Sequence, residues 1–326
     1  MSFRFKAALI GAVVAMPLAA QAENWDLANE YPATSIHAEI ADFFAKAVKE
    51  GTKGEIEIVN HHGASLGYKS IDHFDAVGDG ALQLASSSFV FWTGIDPIFQ
   101  LPSLPFLAPT VEDTRKLYDL AKPEYAQALD EANQVLLFAT PWPSSGLWGN
   151  KPFESADDMK GIKVRTYDTA STDTMRNAGA FPVQIAWADV PAQLSTNAID
   201  SVLTSADGGV GAQFWEMQSN FTQVNYAMPL QAVHLNKDAW NALDDAQREE
   251  IRKAAADAEA FGWNLLATRT EENYAKMREH GMTVTEAIDG AFADFLGASA
   301  QPFIDAWVEK AGPEARKLLD AYKAQR

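Results

Sequence analysis

Cysteine is absent from the 326 residues. That excludes a disulfide framework, an Fe–S cluster, a thiolate zinc site and a cysteine nucleophile. Positive charge is scarce: 26 Lys and Arg face 44 Asp and Glu, a formal net charge of −18. Such a chain is not expected to partner nucleic acid or an anionic membrane. Histidine is sparse too, and none of His37, His61, His62, His73, His234 and His280 forms an H-E-x-x-H pair. His61 and His62, adjacent at a strand end, point to opposite faces, so neither a metal nor a cofactor is expected. Beyond residue 22 no apolar run approaches the ~18 residues of a membrane span, so no stable membrane insertion is expected. Low-complexity segments and flexible linkers are missing as well.

The first 22 residues have a character of their own. Arg4 and Lys6 precede an apolar stretch from Ala7 to Ala20, and Ala20-Gln21-Ala22 precedes Glu23. This reads as a cleaved secretory signal, leaving 304 residues with a formal charge of −20. An exported chain without cysteine points to the periplasm. At roughly 150 residues per domain the mature chain suggests two domains. Its hydrophobic content of 47% suffices for real cores.

Apolar β-rich runs alternate with helical patterns, which implies an α/β fold with largely parallel or mixed sheets. Strands are expected over Asn24–Asn29, Glu55–His62, Leu82–Ser88, Gln134–Thr140, Gly161–Thr166, Phe181–Ala186, Ile199–Ser205, Gln231–Lys237 and Thr283–Ala287. Ser35–Glu50 carries Ile36, Ile40, Phe43, Phe44, Ala47 and Val48 at helical spacing. Two segments resemble each other: His73–Ser88 and Val190–Ala206 each read as a short helix, a polar turn and a strand ending in hydroxyl residues. Chance is one account of this. The other is that each lobe presents a hydroxyl-lined strand end to a shared cleft, where open α/β sheets bind ligands. Asp244, with Gln247 three residues on, forms a capping box that opens a helix running to His280, with Gly281 as its stop. At 1.5 Å per residue that helix is about 54 Å long, more than one lobe can bury, so it is expected to bridge both as a spine. A break near Gly262 is the alternative.

Arg165 stands out among the polar residues. In Gly161-Ile162-Lys163-Val164-Arg165-Thr166 it shares a strand face with Lys163, opposite Ile162 and Val164, and it lies at the strand's carboxyl end. There its fork can grip a carboxylate or sulfonate with two parallel bonds. A structural ion pair with Asp168 is the alternative. Phe89, Phe91, Trp92, Trp142, Trp148 and Trp187 offer apolar walls for a small-molecule site, although core packing explains most tryptophans. Gly63-Ala64-Ser65-Leu66-Gly67 matches a nucleophile elbow, with His234 or His280 following, but the pentapeptide is short and sits after only the second strand.

The ordered motifs carry a resemblance. They include Phe44-Ala45-Lys46-Ala47-Val48, Gly54-Glu55-Ile56-Glu57-Ile58, Leu66-Gly67 and Leu101-Pro102-Ser103-Leu104-Pro105-Phe106-Leu107. The most specific are Asn150-Lys151-Pro152 through Asp158-Met159-Lys160-Gly161-Ile162-Lys163-Val164-Arg165, then Ala178-Gly179-Ala180, Trp187–Val190, Ala198-Ile199-Asp200 and Leu235-Asn236-Lys237. Over nearly all of the mature chain the protein resembles the solute receptors of TRAP transporters, the DctP-type periplasmic proteins. The resemblance implies a two-lobed periplasmic-binding-protein fold that closes on a small organic anion and hands it to a TRAP membrane permease, without enzymatic chemistry. It places Arg165 on the carboxylate-binding arginine and Trp187 against the ligand. It puts Thr204 where relatives often carry asparagine. Tyr31, Glu30, Ser87, Phe89, Trp92, Trp148, Tyr167 and Asp207 complete the candidate ligand set. No arginine falls between Arg115 and Arg165, where many relatives have a second one, so a compact monoanion is expected rather than a dicarboxylate. The first lobe is expected to comprise residues 23–147 plus about 235–272, and the second 148–234 plus about 273–326, in a monomer. An ABC-type receptor and a periplasmic serine hydrolase using Ser65 are the alternatives.

Overall fold

The computed structural model describes residues 23–325; the expected secretory signal, residues 1–22, lies outside them. Eleven strands form two sheets. They are β1 (Glu23–Asn29), β2 (Ile56–His61), β3 (Leu84–Ser88), β4 (Gln134–Pro141), β5 (Ser145–Gly149), β6 (Lys163–Thr166), β7 (Phe181–Gln184), β8 (Ser201–Ser205), β9 (Asn220–Thr222), β10 (Leu230–Asn236) and β11 (Thr283–Thr285). One sheet has the order β2-β1-β3-β10-β4, the other β11-β9-β5-β8-β6-β7.

The two sheets share a plan. In the first, β2, β1 and β3 are parallel and β10 joins β3 antiparallel. In the second, β7, β6 and β8 are parallel and β5 joins β8 antiparallel. Helix Ser70–Gly78 leads into β3 as helix Val190–Ser195 leads into β8, so the two similar sequence segments occupy matching places. The added strand of each sheet arrives from the other one: the chain crosses after β4 and returns before β10. The crossing segments are bonded side by side, Trp142 N–H to the Pro229 carbonyl at 2.8 Å and Ser145 N–H to the Ala227 carbonyl at 3.0 Å. The expected lobe boundaries at 147 and 234 therefore fall inside β5 and β10. Strands β5 and β9 escape a sequence reading because they are short and β5 holds two glycines. At Gly146 a Cβ would sit 2.5 Å from the Phe221 ring and 2.7 Å from the Thr222 carbonyl, so only glycine lets β5 pair with β9 this closely.

The spine is a single helix, Asp245–Glu279, about 52 Å long at 1.5 Å per residue. Asp244 accepts from Gln247 N at 2.8 Å and Gln247 returns the bond at 3.1 Å, closing the expected capping box. Gly262 does not break it. A Cβ there would meet Thr140 Cγ2 at 2.6 Å and Ile40 Cδ1 at 2.7 Å, and the neighbouring Trp263 donates to the Ala139 carbonyl at 3.1 Å. Glycine is the condition for the spine to lie this close to the first sheet. Gly262→Ala gains roughly 1 kcal/mol of helix propensity but overpacks a contact worth about 1–3 kcal/mol. The expected net result is a lower melting temperature in calorimetry; a higher one would show slack at this contact. The closing helix, Gly290–Lys323, kinks at Gly312 (φ 79°). Before the kink it meets helix Thr169–Asn177, the Ser299 carbonyl accepting from Asn177 at 2.9 Å; beyond it Tyr322 donates to the Leu107 carbonyl at 3.1 Å. The segment from 273 onward thus serves both lobes.

Candidate ligand-binding site

The carboxyl ends of β1, β3, β6 and β8 converge with the crossing segments on a shared cavity. Tyr31 follows β1, Ser88, Val90 and Phe91 come from the end of β3, and Trp142 and Pro229 from the two crossings. The second sheet supplies Ser145, Arg165, Tyr167, Trp187, Thr204, Ser205 and Gly208.

Arg165 is 3% exposed. Its strand partner on β8 is Val202, and β8 runs on past that pair. The Leu203 carbonyl accepts from Arg165 Nη1 at 3.3 Å, and the Ile185 carbonyl just beyond β7 accepts from Nε at 3.0 Å. Two strand-end carbonyls thereby hold the fork in place. None of the ion pairs among the described residues involves it. Burial pulls its pKa down to about 10, against the smaller pull of Tyr31, Tyr167, Glu30 and Asp168, so it stays charged at neutral pH. Asp168, the alternative partner, is instead the N-cap of helix Thr169–Asn177. It accepts from Ser171 N at 2.8 Å, and from Gln100 across the lobes at 3.0 Å. The guanidinium is a caged cation with hydrogen-bonding capacity left over.

Aromatic rings surround it. Its carbon lies 5.6 Å from the Trp187 ring and 5.8 Å from that of Tyr167. Tyr31 packs edge-on to Trp142 at 4.6 Å and lies 6.4 Å from Trp187. Trp187 can lie flat because its neighbour is Gly208, where a Cβ would be 3.2 Å from the indole and 2.8 Å from Thr204 Oγ1.

The structure brings together Arg165, Trp187, Thr204, Tyr31 and Tyr167 of the expected set; the other six stand elsewhere. Ser87 is on the opposite face of β3 from Ser88, its hydroxyl 2.8 Å from His73 Nδ1 and 2.9 Å from His234 Nε2. Phe89 and Trp92 are fully buried in a first-lobe core with Phe99. Trp148 lies behind the site, donating to the Ser205 carbonyl at 3.3 Å and packed on Gly209. Asp207 faces the start of helix Ile36–Gly51 in the first lobe. Glu30 is buried just outside the lining: one oxygen accepts from Ser70 N at 2.9 Å and the other has no protein partner. The sequence reading missed Ser88, Val90, Ser145, Ser205, Gly208 and Pro229. Strand alternation would have found Ser88. Ser65 sits in an exposed turn, with helix Ser70–Gly78 beginning only five residues later, which is no elbow geometry. Among the described residues no group of His, Asp or Glu side chains is arranged to hold a metal ion, and no helix is long and apolar enough to cross a membrane.

Residues 27–306 match the bacterial extracellular solute-binding protein family 7, DctP. The chain belongs to that family. The ectoine-binding periplasmic protein TeaA of Halomonas elongata is 26% identical over 97% of this chain and 94% of its own. Among solved structures, the extracytoplasmic solute receptor DctP7 of Bordetella pertussis, described as binding pyroglutamic acid, is 30% identical over 93% of this chain and all of its own, with a TM-score of 0.88. A TRAP solute-binding protein from a marine metagenome, solved with co-purified pyroglutamate, gives the same identity and TM-score over 93% of this chain and 99% of its own. DctP membership makes the protein an extracytoplasmic solute receptor of a TRAP transport system, a binding protein and not an enzyme. The two-lobed fold is the family's, and the ABC-type and hydrolase alternatives fall away.

Proposed function

We propose that this DctP receptor captures a compact cyclic monocarboxylate of the pyroglutamate class, as a monomer, by closing its lobes over the cavity. The observation that carries the reading is the charge inventory: Arg165 is the only cation among the residues that line the cavity. One buried, pre-oriented fork suits one carboxylate, and a second carboxylate would be desolvated without a partner. Tyr31, Trp142 and Trp187 provide apolar faces for a small ring. The hydroxyls of Ser88, Ser145, Thr204 and Ser205 provide hydrogen bonds for its far end. The partnerless oxygen of Glu30, beside Tyr31, suits a ligand that carries an N–H donor. The two pyroglutamate-binding relatives support the same class.

Closure needs no chemistry. The solute favours the closed state by its differential affinity, and that state is then offered to the permease. A calorimetric panel of L-pyroglutamate, ectoine, glucuronate and succinate is expected to place pyroglutamate ahead of succinate by at least about tenfold, the cost of stranding one charge-assisted group. Succinate binding as tightly or more tightly would refute the monoanion reading.

A further inference from the structure

Beside the solute cavity the lobes meet at a second place. Asp207 is 2% exposed, in the short helix that follows β8. Its Oδ2 accepts the Ile36 N–H at 3.0 Å, at the start of helix Ile36–Gly51 in the first lobe. Its Oδ1 is 3.4 Å from Asn273 Nδ2 and 3.8 Å from Arg269 Nη1, both on the spine. Arg269 in turn pairs with Glu39 of helix Ile36–Gly51. One carboxylate therefore ties together the second lobe, the first lobe and the spine. Burial pushes its pKa up, and the Ile36 amide, Arg269 and Asn273 pull against that. Its chain neighbours Ser205 and Gly208 line the cavity, as does Tyr31 five residues before Ile36.

We propose that Asp207 is the positioning residue for closure, a latch that holds the end of β8 against the first lobe without touching the solute. This rests on the reading that closure retains the solute, yet it can be tested with none present. A Cβ at Gly211 would lie 3.6 Å from Thr34 Oγ1 across the lobe boundary, which puts cysteine side chains at the two positions within reach of each other. The native chain has no cysteine, so T34C/G211C supplies a unique pair.

Its cross-linking rate under oxidant, normalised to alkylation of the same thiols, measures how often the lobes meet. Asp207→Ala in this background is expected to slow cross-linking at least about tenfold, as for loss of a bond to a charged acceptor. Asp207→Asn, which keeps the shape should the alanine variant misfold, is expected to slow it at least about threefold. Folded variants that cross-link as fast as the Asp207 background would overturn the latch, and so would a pair that never cross-links in that background. A mistaken solute class would leave either result unchanged.

Discussion

With Arg165 replaced by alanine, the receptor is expected to bind its solute about 100-fold more weakly. Two charge-assisted bonds to a carboxylate contribute about 1.5–3 kcal/mol each, so losing both costs at least about 3 kcal/mol, or two decades in Kd. No other lining residue is cationic, so nothing in the cavity can take over. Arg165→Lys is expected to recover only part of the loss. A lysine keeps the charge but not the fork, and it cannot bond the Ile185 and Leu203 carbonyls while presenting two parallel donors to the ligand. The pKa of about 10 implies that affinity should not follow Arg165 titration anywhere between pH 6 and 8.

The second large effect is on stability in acid. His37, His73 and His234 are buried in the first lobe and held neutral. Burial brings His37 down to about 3 and His73 to about 4, and it lowers His234 as well, helped by the nearby His73. His234 is locked between Gln134 Oε1 at Nδ1 (2.5 Å) and the Ser87 hydroxyl at Nε2 (2.9 Å), both neutral, so adding a proton buries a charge against neutral partners.

These folded-state values lie below the unfolded value of about 6.5, so unfolding takes up protons whenever the pH is lower than that. The stabilisation is complete above pH ~6.5 and is lost as the pH falls towards the folded values, at about 1.4 kcal/mol per unit for each histidine. Three together cost about 4 kcal/mol per unit, against a total stability of about 5–15 kcal/mol for an ordinary fold. Melting temperature is therefore expected to drop steeply between pH 6.5 and 5, above the range where ordinary carboxylates titrate. His37→Gln should flatten that slope by about a third, its share of the linkage. A melting temperature constant down to pH 5 would mean that these rings are not buried in the folded protein.

Much of the fold was legible because its signals are local. The spine announces itself by a capping box and a glycine stop, and Arg165 by its place at the end of an alternating strand. The matched segments before β3 and β8 pointed to a common plan, which the strand orders bear out. What escaped depends on who the neighbours are. Strands β5 and β9 exist because glycine permits close pairing, which no propensity reveals. Phe89, Trp92 and Trp148 have the residue types of a ligand wall, but they fill cores whose partners come from distant elements. Ser87 and Ser88 differ by one residue, enough in a strand to exchange the interior for the cavity. Asp207 stood in the candidate ligand set, and only the packing shows it reaching another helix.

The most direct test of the account is calorimetric titration of L-pyroglutamate into the native receptor and into Arg165→Ala, side by side at neutral pH. Saturable one-to-one binding to the native protein, weakened about 100-fold in the variant, is the predicted pair of results. Equal affinities in the two proteins would contradict it, because the caged guanidinium would then not be what holds the acid.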